Sequence, residues 1–422
     1  MGGPMNSTTS HRFHWAWVIL GICFLDLFVN YSIRLGYGVV MPEMIQDLGF
    51  TRMAGGTIYN AYLFAYILLT PFAGYCTDRF GGRRVITICS LILGLGVFGM
   101  GTAKTLTMAC IFYALAGIGA TGMWTPVITV VQRWFAPHRR GLALGILGTG
   151  YGFGLAAIGL AFPLIVHAYS WRYAWYILGI SALLLSVGNG SLLRSDPKTH
   201  GYKPWGEKTE PLDPAQSPAL SGQPLPRSWS NFIKNSNFWL IGFSYFAVSY
   251  CLYGITTFMV DYARNQIGMP LEKASLLATI HGLGQVVGVL TILPLSDYFT
   301  RKRTLLVSNA LIALVVIGIF LFGKSWLSLA ILIGIMALFY GATFPLYGAC
   351  GGDYFPKQVM GTVIGLWTFL YGSGAMLANW ISGLIRDHSG SYHQAFLIDA
   401  VMAGIGLLLM CFVKKTLRSG RA

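Results

Sequence analysis

Arg34 is the residue whose setting most constrains its chemistry. It lies 19 residues after Trp15 in a run of apolar side chains, and it is the only Lys or Arg inside any such run of this 422-residue chain. A guanidinium stays charged at every accessible pH, and a charge inside a bilayer costs several kcal/mol unless something compensates it. Its planar fork suits a carboxylate or a sulfonate. One cation points to a monoanion, because phosphate esters and dicarboxylates usually call for more positive charge. Two other roles compete: an Arg that snorkels to the outer headgroups, and a fixed ion pair.

Asp26, Asn30 and Arg34 fall at i, i+4 and i+8 and so share one helical face. Asp26 is ~12 Å from Arg34 along the axis at ~1.5 Å per residue, too far to pair with it directly. It lies eleven residues from Trp15, near the membrane centre. That depth makes it a candidate proton carrier, against the alternative of an Asp bonded permanently to hydroxyls and backbone. His281 and Gln285 stand one turn apart and could bind substrate. His281 could also carry a proton, against the alternative of a packing His with a local bond. Asp261 and Arg264 are expected to pair with each other at the outer surface. Of 22 Tyr, 26 Phe and 12 Trp, most must face lipid, form interfacial belts or pack. Tyr66, Tyr151, Tyr253, Trp367 and Tyr371 are expected to line a cavity.

The elements that position these residues are membrane helices. The chain is 55% hydrophobic and 10% charged, against roughly 25% charged in soluble proteins. Its apolar residues come in runs of about 20, the length that crosses a ~30 Å hydrocarbon core. We read twelve such runs, the first over 15–40 and the last over 392–414. The 53 glycines would be costly in soluble helices but let membrane helices approach closely. Gly148-Thr149-Gly150-Tyr151-Gly152-Phe153-Gly154 has the look of a nucleotide loop. It sits inside an apolar run with no preceding strand, so helix packing explains it better. The seven cysteines lie in or beside apolar runs without metal-ligand spacing. No metal, cofactor or catalytic constellation is expected. The first run exceeds the ~7–15-residue core of a cleavable signal.

A formal charge of +15 would suggest nucleic acid in a soluble protein. Here the basic residues hold topology, and no nucleic-acid partner is expected. Of 29 Lys and Arg, 21 fall on the side of the N-terminus, seven on the other and one, Arg34, inside a run. That bias places both termini in the cytoplasm. The organisation expected is a cytoplasmic tail (1–14), a six-helix bundle (15–194), a Pro- and Ser-rich cytoplasmic linker (195–236), a second six-helix bundle (237–415) and a short cytoplasmic tail (416–422). The bundles repeat. Asp78-Arg79-Phe80-Gly81-Gly82-Arg83-Arg84 aligns with Asp297-Tyr298-Phe299-Thr300-Arg301-Lys302-Arg303 at an offset of 219. Phe135, Gly141, Gly145, Tyr151, Gly152 and Gly154 align with Phe355, Gly361, Gly365, Tyr371, Gly372 and Gly374 at 220. Parallel halves put a substrate site between them at mid-membrane. Tyr151 and Tyr371, at equivalent positions, could cap a small substrate from both halves.

The segment from Gly74 through Asp78, Arg79, Gly81 and Arg83 to Arg84 resembles the loop motif of the major facilitator superfamily. The resemblance implies an all-α membrane fold of twelve helices, two six-helix bundles related by pseudo-two-fold symmetry. It also implies an inner-side switch built from this motif with Asp297 and Arg301. Within the superfamily the chain is most similar to the anion:cation symporter branch of organic-anion carriers. Asn30-Tyr31-Ser32-Ile33-Arg34 resembles that branch's Asn-Tyr-x-Asp-Arg, and Tyr66 sits where the branch often has a substrate-facing Tyr. Arg133-Trp134-Phe135-Ala136-Pro137 with Arg140 and Gly141 resembles its stretch before helix 5, and Ser170-Trp171-Arg172-Tyr173-Ala174-Trp175 its segment before helix 6. Ile33, Trp124 and Tyr113 stand where relatives carry Asp, Glu and Arg, which removes the usual proton route. Gly145 and Gly154 match a drug-antiporter spacing, but Ile158-Gly159 replaces its Gly-Pro. Asp399 is expected to matter less, because the last helix of this fold is peripheral.

These features together imply a secondary active transporter, not an enzyme. It would carry a small organic anion, a monocarboxylate first, across the inner membrane of a bacterium by alternating access. Arg34, Asn30, Tyr66, Tyr151, Tyr253, His281, Gln285, Trp367 and Tyr371 would bind it. A proton is a candidate co-substrate, with Asp26 and His281 its candidate carriers, and the protein is expected to be a monomer in the bilayer. Efflux of amphiphilic or neutral solutes and a non-transporting membrane sensor are the alternatives.

Overall fold

Hydrocarbon offers no partner to a backbone N–H or C=O, so apolar runs of this length must satisfy their hydrogen bonds within helices. In the computed structural model, which describes residues 14–207, 233–355 and 357–414, they do so. The side chains of residues 137, 297 and 357–361 lie outside that description. So do the 1–14 tail except its last residue, the middle of the linker, Arg12 and Lys415, and the 416–422 tail.

Fourteen α-helices make twelve crossings among the described residues. They are α1 (Trp15–Arg34), α2 (Tyr37–Leu48), α3 (Arg52–Phe80), α4 (Gly82–Thr102), α5 (Leu106–Ala120), α6 (Thr125–Trp134), α7 (Arg140–Ala168) and α8 (Trp171–Leu192), then α9 (Ser236–Asp261), α10 (Leu271–Phe299), α11 (Arg301–Phe322), α12 (Trp326–Tyr354), α13 (Lys357–Ser389) and α14 (His393–Phe412). The first crossing is α1 with α2, bent at Leu35 and Gly36, and the fourth is α5 with α6. Ten crossings are long and apolar enough to span a membrane by composition. The other two, α3 and α13, have 29 and 33 residues, ample length at ~1.5 Å per residue.

Local chemistry sets the helix ends. Thr51, Thr105 and Ser170 accept hydrogen bonds from the first turn of the helix that follows, at 3.1, 3.2 and 3.1 Å. Ser325 and Ser328 form a capping box at the start of α12. On the opposite face, α3 turns into α4 at Gly81 with φ +84°, and α10 into α11 at Thr300 with φ +73°. The two turns align at the repeat offset, although the second places a β-branched residue where glycine is at ease. We call this the basic face, because Arg79, Arg83, Arg84, Arg139, Arg140 and Arg303 are exposed there.

Helices α1–α8 form one bundle and α9–α14 the other. Across the boundary α7 lies on α10, α3 on α13, and α2 on α9. The repeat maps α3 onto α10 and α7 onto α13, so the first two contacts are images of one another. That exchange is the pseudo-two-fold symmetry. Close approach depends on glycine. A Cβ at Gly152 would stand 2.5 Å from the Gly282 carbonyl oxygen, and a Cβ at Gly282 would stand 2.4 Å from that of Gly152. Gly154 faces the other way, onto the backbone of α1 at Phe28. The glycine-rich stretch of α7 is therefore a packing device on two faces.

Gly152→Val should lower the apparent melting temperature of the purified protein, as an overpacking cost of about 1–3 kcal/mol requires. Gly145→Ala, at a position with nothing within 4 Å, should leave it unchanged or raised. Equal melting temperatures for wild type and Gly152→Val would mean that this contact does not set the bundle spacing.

Candidate functional site

The bend between α1 and α2 leaves a helix end inside the membrane. Tyr113 Oη donates to the freed Ile33 carbonyl at 3.0 Å. Arg34 sits in the last turn of α1, where the macrodipole carries about half a negative charge. Its side chain is buried, 8% exposed. Nη2 donates to Tyr253 Oη of the other bundle at 2.8 Å. The guanidinium lies over the Tyr66 ring at 4.9 Å and the Tyr31 ring at 5.8 Å. Its Nε finds no hydrogen-bond partner, and no carboxylate pairs with it, among the described residues. Dipoles and ring faces thus compensate this cation, and its charge is left uncancelled.

Arg34 faces a cavity of about 60 Å³ between the bundles. Tyr31, Tyr66, Trp124 and Tyr151 line it from the first bundle, and Tyr253, Gln285, Tyr340, Phe344 and Tyr371 from the second. Beyond it lies a wider vestibule of about 820 Å³ toward the basic face, reaching Gly141, Ser296, Arg301 and Ala349. Trp124, Tyr151 and Pro345 line both spaces and so stand between them. Trp124 meets the Phe344 ring edge-on at 5.5 Å and the Tyr151 ring at 6.1 Å. One layer of aromatic side chains separates pocket from vestibule.

The other face is closed by polar contacts between bundles. The Asp387 carboxylate accepts from the backbone N–H groups of Arg52 and Met53 at 2.9 and 2.7 Å, capping α3 from across the boundary. Asp261 is fully buried and accepts from Arg52 Nε at 3.4 Å and Tyr392 Oη at 2.5 Å. Arg264 pairs with Glu43 at 3.2 Å, and His167 meets Glu272 at 2.6 Å. The expected Asp261–Arg264 surface pair is therefore corrected: each residue bonds to the opposite bundle, because α9 ends against α2 and α3.

Of the anticipated site residues, Arg34, Tyr66, Tyr151, Tyr253, Gln285 and Tyr371 reach the cavity. Trp367 does not. It donates to the Phe238 carbonyl at 2.9 Å and packs on Phe238 and Phe355, inside the second bundle. Asn30 lies behind the pocket, accepting from Tyr62 Oη at 3.3 Å. His281 is fully buried one layer back, bonded through Nδ1 to Gln285 at 2.9 Å and edge-on to Tyr340. Asp26 is deeper in the first bundle, where Asn189 Nδ2 donates to it at 2.8 Å and Ser90 lies alongside. Sequence reading missed Tyr31, Tyr340 and Phe344 as lining residues, and took Trp124 only for a lost Glu. One signal was available: Trp124 and Phe344 flank Pro126 and Pro345, which the repeat offset of 219 relates.

The switch motif lies on the open basic face. Arg83 donates to the Gly190 carbonyl, and its backbone N–H to Ser195 Oγ at 2.9 Å. Arg79 donates to Tyr75 Oη at 3.1 Å, while Asp78 and Arg84 are exposed. Arg301 pairs with Asp353 at 2.8 Å, and the Asp297 side chain lies outside the described residues. Among the described residues no cluster of three or more His, Cys, Asp and Glu could hold a metal.

Two bundles closed at one face, with a pocket between them, define a membrane transporter rather than an enzyme. The family model of the Major Facilitator Superfamily matches residues 19–274 and 246–421, and the chain belongs to that superfamily. It is 22% identical over 408 residues to the probable sulfoacetate transporter of Cupriavidus necator, covering 95% of this chain and 94% of that one. It is 21% identical over 390 residues to the hexuronate transporter of Bacillus subtilis, covering 90% of each. Its fold is similar to that of a bacterial homolog of the human lysosomal transporter Spinster in an inward-facing, unoccupied conformation. There the TM-score is 0.71 and the identity 16%, over 94% of this chain and 95% of that one.

Asp387→Ala should open the closed face. Losing a cap that serves a helix N-terminus costs about 1–2 kcal/mol, roughly a tenfold shift in the open-to-closed ratio. Spin labels at Lys104→Cys and Lys324→Cys, in a background without reactive thiols, should gain a longer-distance population. An unchanged distance distribution would remove Asp387 from the latch.

Proposed function

We propose that this protein is a secondary carrier for a small organic monoanion, bound at Arg34 and moved by alternating access. The observation that carries the reading is the guanidinium itself. It is buried at the boundary between the bundles, has a free donor and no carboxylate partner among the described residues, and faces a cavity. A carboxylate or sulfonate would supply the missing charge and accept the fork's hydrogen bonds. Tyrosine hydroxyls and Gln285 would orient the remainder. The names of the relatives, which include carriers of sulfoacetate and hexuronate, support an organic acid. The cavity of about 60 Å³ favours a small one, since a water needs roughly 10–15 Å³ on the same measure.

The Lys and Arg bias supports a cytoplasmic basic face. On that reading the closed latch and open vestibule correspond to the inward-facing state. Substrate would exchange with the cytoplasm past Trp124, Tyr151 and Phe344. Rocking about the α3/α13 and α7/α10 contacts would close the basic face and part the latch.

The test is uptake into proteoliposomes, with sulfoacetate and a panel of short monocarboxylates as probes. Arg34→Ala should lower affinity for every accepted anion by on the order of a hundredfold, as losing about 3 kcal/mol of charge-assisted bonding implies. Tyr253→Phe keeps the cation but removes the hydroxyl and should cost about 1 kcal/mol, roughly fivefold. Full transport by Arg34→Ala would sink the binding assignment.

A further inference from the structure

The peripheral last helix holds an unexplained group. Asp399 of α14 is fully buried, and both its carboxyl oxygens lack a hydrogen-bond partner among the described residues. It lies against α9 at Gly254, where a Cβ would stand 2.2 Å from Oδ1 and 2.6 Å from Oδ2. Only glycine at that position leaves room for the carboxyl. Gly254 directly follows Tyr253, whose hydroxyl accepts from Arg34 at 2.8 Å. The carboxyl is thus one residue and one hydrogen bond from the proposed anion site. Asp26, by contrast, has Asn189 as a donor and touches no residue that lines the pocket through any hydrogen bond among those described.

The ionisable side chains of α9 beside Asp399 are the Tyr250 phenol and the Cys251 thiol. The buried face of α11 carries no titratable side chain. Among the described residues no Lys, Arg or His forms an ion pair with it, and no side chain donates to it. An ionised carboxylate in such a place costs several kcal/mol and brings water or a counter-ion with it. The neutral acid carries no such demand.

We propose that Asp399 is a proton-binding site that governs the seating of α14 on α9. With the proton on, the carboxyl packs against Gly254, as in this structure, and Tyr253 stays on Arg34. With the proton released to water, the carboxylate must hydrate, and α9 loosens from α14 around Gly254. Proton binding would then be linked to the anion site through Tyr253, without the acidic residues that relatives place at positions 33 and 124. The link to the anion rests on the Arg34 reading; the proton site does not.

Hydrogen–deuterium exchange of residues 250–257 tests it, on purified full-length protein in nanodiscs without any anion and over a range of pH. After correction for intrinsic exchange, the wild type should lose protection in this segment at least tenfold as pH rises. Asp399→Asn, neutral and of the same shape, should keep it protected throughout. Difference infrared spectra give a second reading, independent of exchange. A carboxylic-acid carbonyl band present at neutral pH in the wild type and in Asp26→Asn should be absent from Asp399→Asn. Protection that ignores pH in the wild type, or that falls equally in Asp399→Asn, overturns the proposal. So does a carbonyl band unaffected by Asp399→Asn. Because no anion is present, failure of the Arg34 assignment leaves these outcomes unaltered.

Discussion

A buried cation with no anion of its own among the described residues is the constraint around which this molecule is arranged. Arg34 cannot shed its charge, so the protein must surround it with partial charges instead. The bend after α1 supplies a helix C-terminus, Tyr31 and Tyr66 supply ring faces, and Tyr253 supplies a lone pair. Each is weaker than a carboxylate, and that weakness leaves the site positive. A permanent ion pair would have been more stable and would have had nothing left to offer a ligand. The bend in turn needs Tyr113 to satisfy the Ile33 carbonyl. The residue that departs from the superfamily's Arg at that position therefore serves the cation indirectly.

The repeat explains why the pocket lies at the boundary between the bundles. Two images of one helix pair, α3 with α13 and α10 with α7, let the bundles touch along seams where glycines admit close backbone approach and side chains such as Ile67 and Thr279 seat against them. Neutral polar contacts cross the seams further in: Asn60 bonds to Asn379 and to the Met376 carbonyl, Trp380 donates to Thr57, and Thr279 donates to the Ala156 carbonyl. The charged contacts gather at one end, where Asp387 and Asp261 bring acceptors from the second bundle to the first turn of α3. On the proposed carrier cycle, the charged contacts at that end are the ones that would have to part.

Much of this was legible in the chain. Length and apolar periodicity fixed the number of crossings, and the paired loops at Asp78 and Asp297 exposed the duplication. Arg34 announced itself by being alone. What stayed hidden were phase and partnership. Trp367 lies one turn before Tyr371 on the same helix, yet it points into the second bundle, onto Phe238. His281 and Gln285 are likewise neighbours, and only Gln285 emerges into the cavity. The charged partners of Asp261 and Arg264 are 209 and 221 residues away in sequence, beyond the reach of local pattern. Asp399 looked dispensable because its helix is peripheral. A carboxyl's surroundings are set by the helix it faces, here α9.

The aromatic layer at Trp124, Tyr151 and Phe344 has a kinetic meaning. It is one side chain thick, so a ligand in the vestibule reaches Arg34 once a few rings rotate. Side-chain rotamer flips at exposed positions take picoseconds to nanoseconds, whereas collective domain motions take microseconds to milliseconds. On the proposed carrier cycle, loading from the open face would therefore equilibrate many times before the bundles rock once. Occupancy would follow the free concentration on that side, and selection between similar anions would be made by equilibrium affinity, not by the order of arrival.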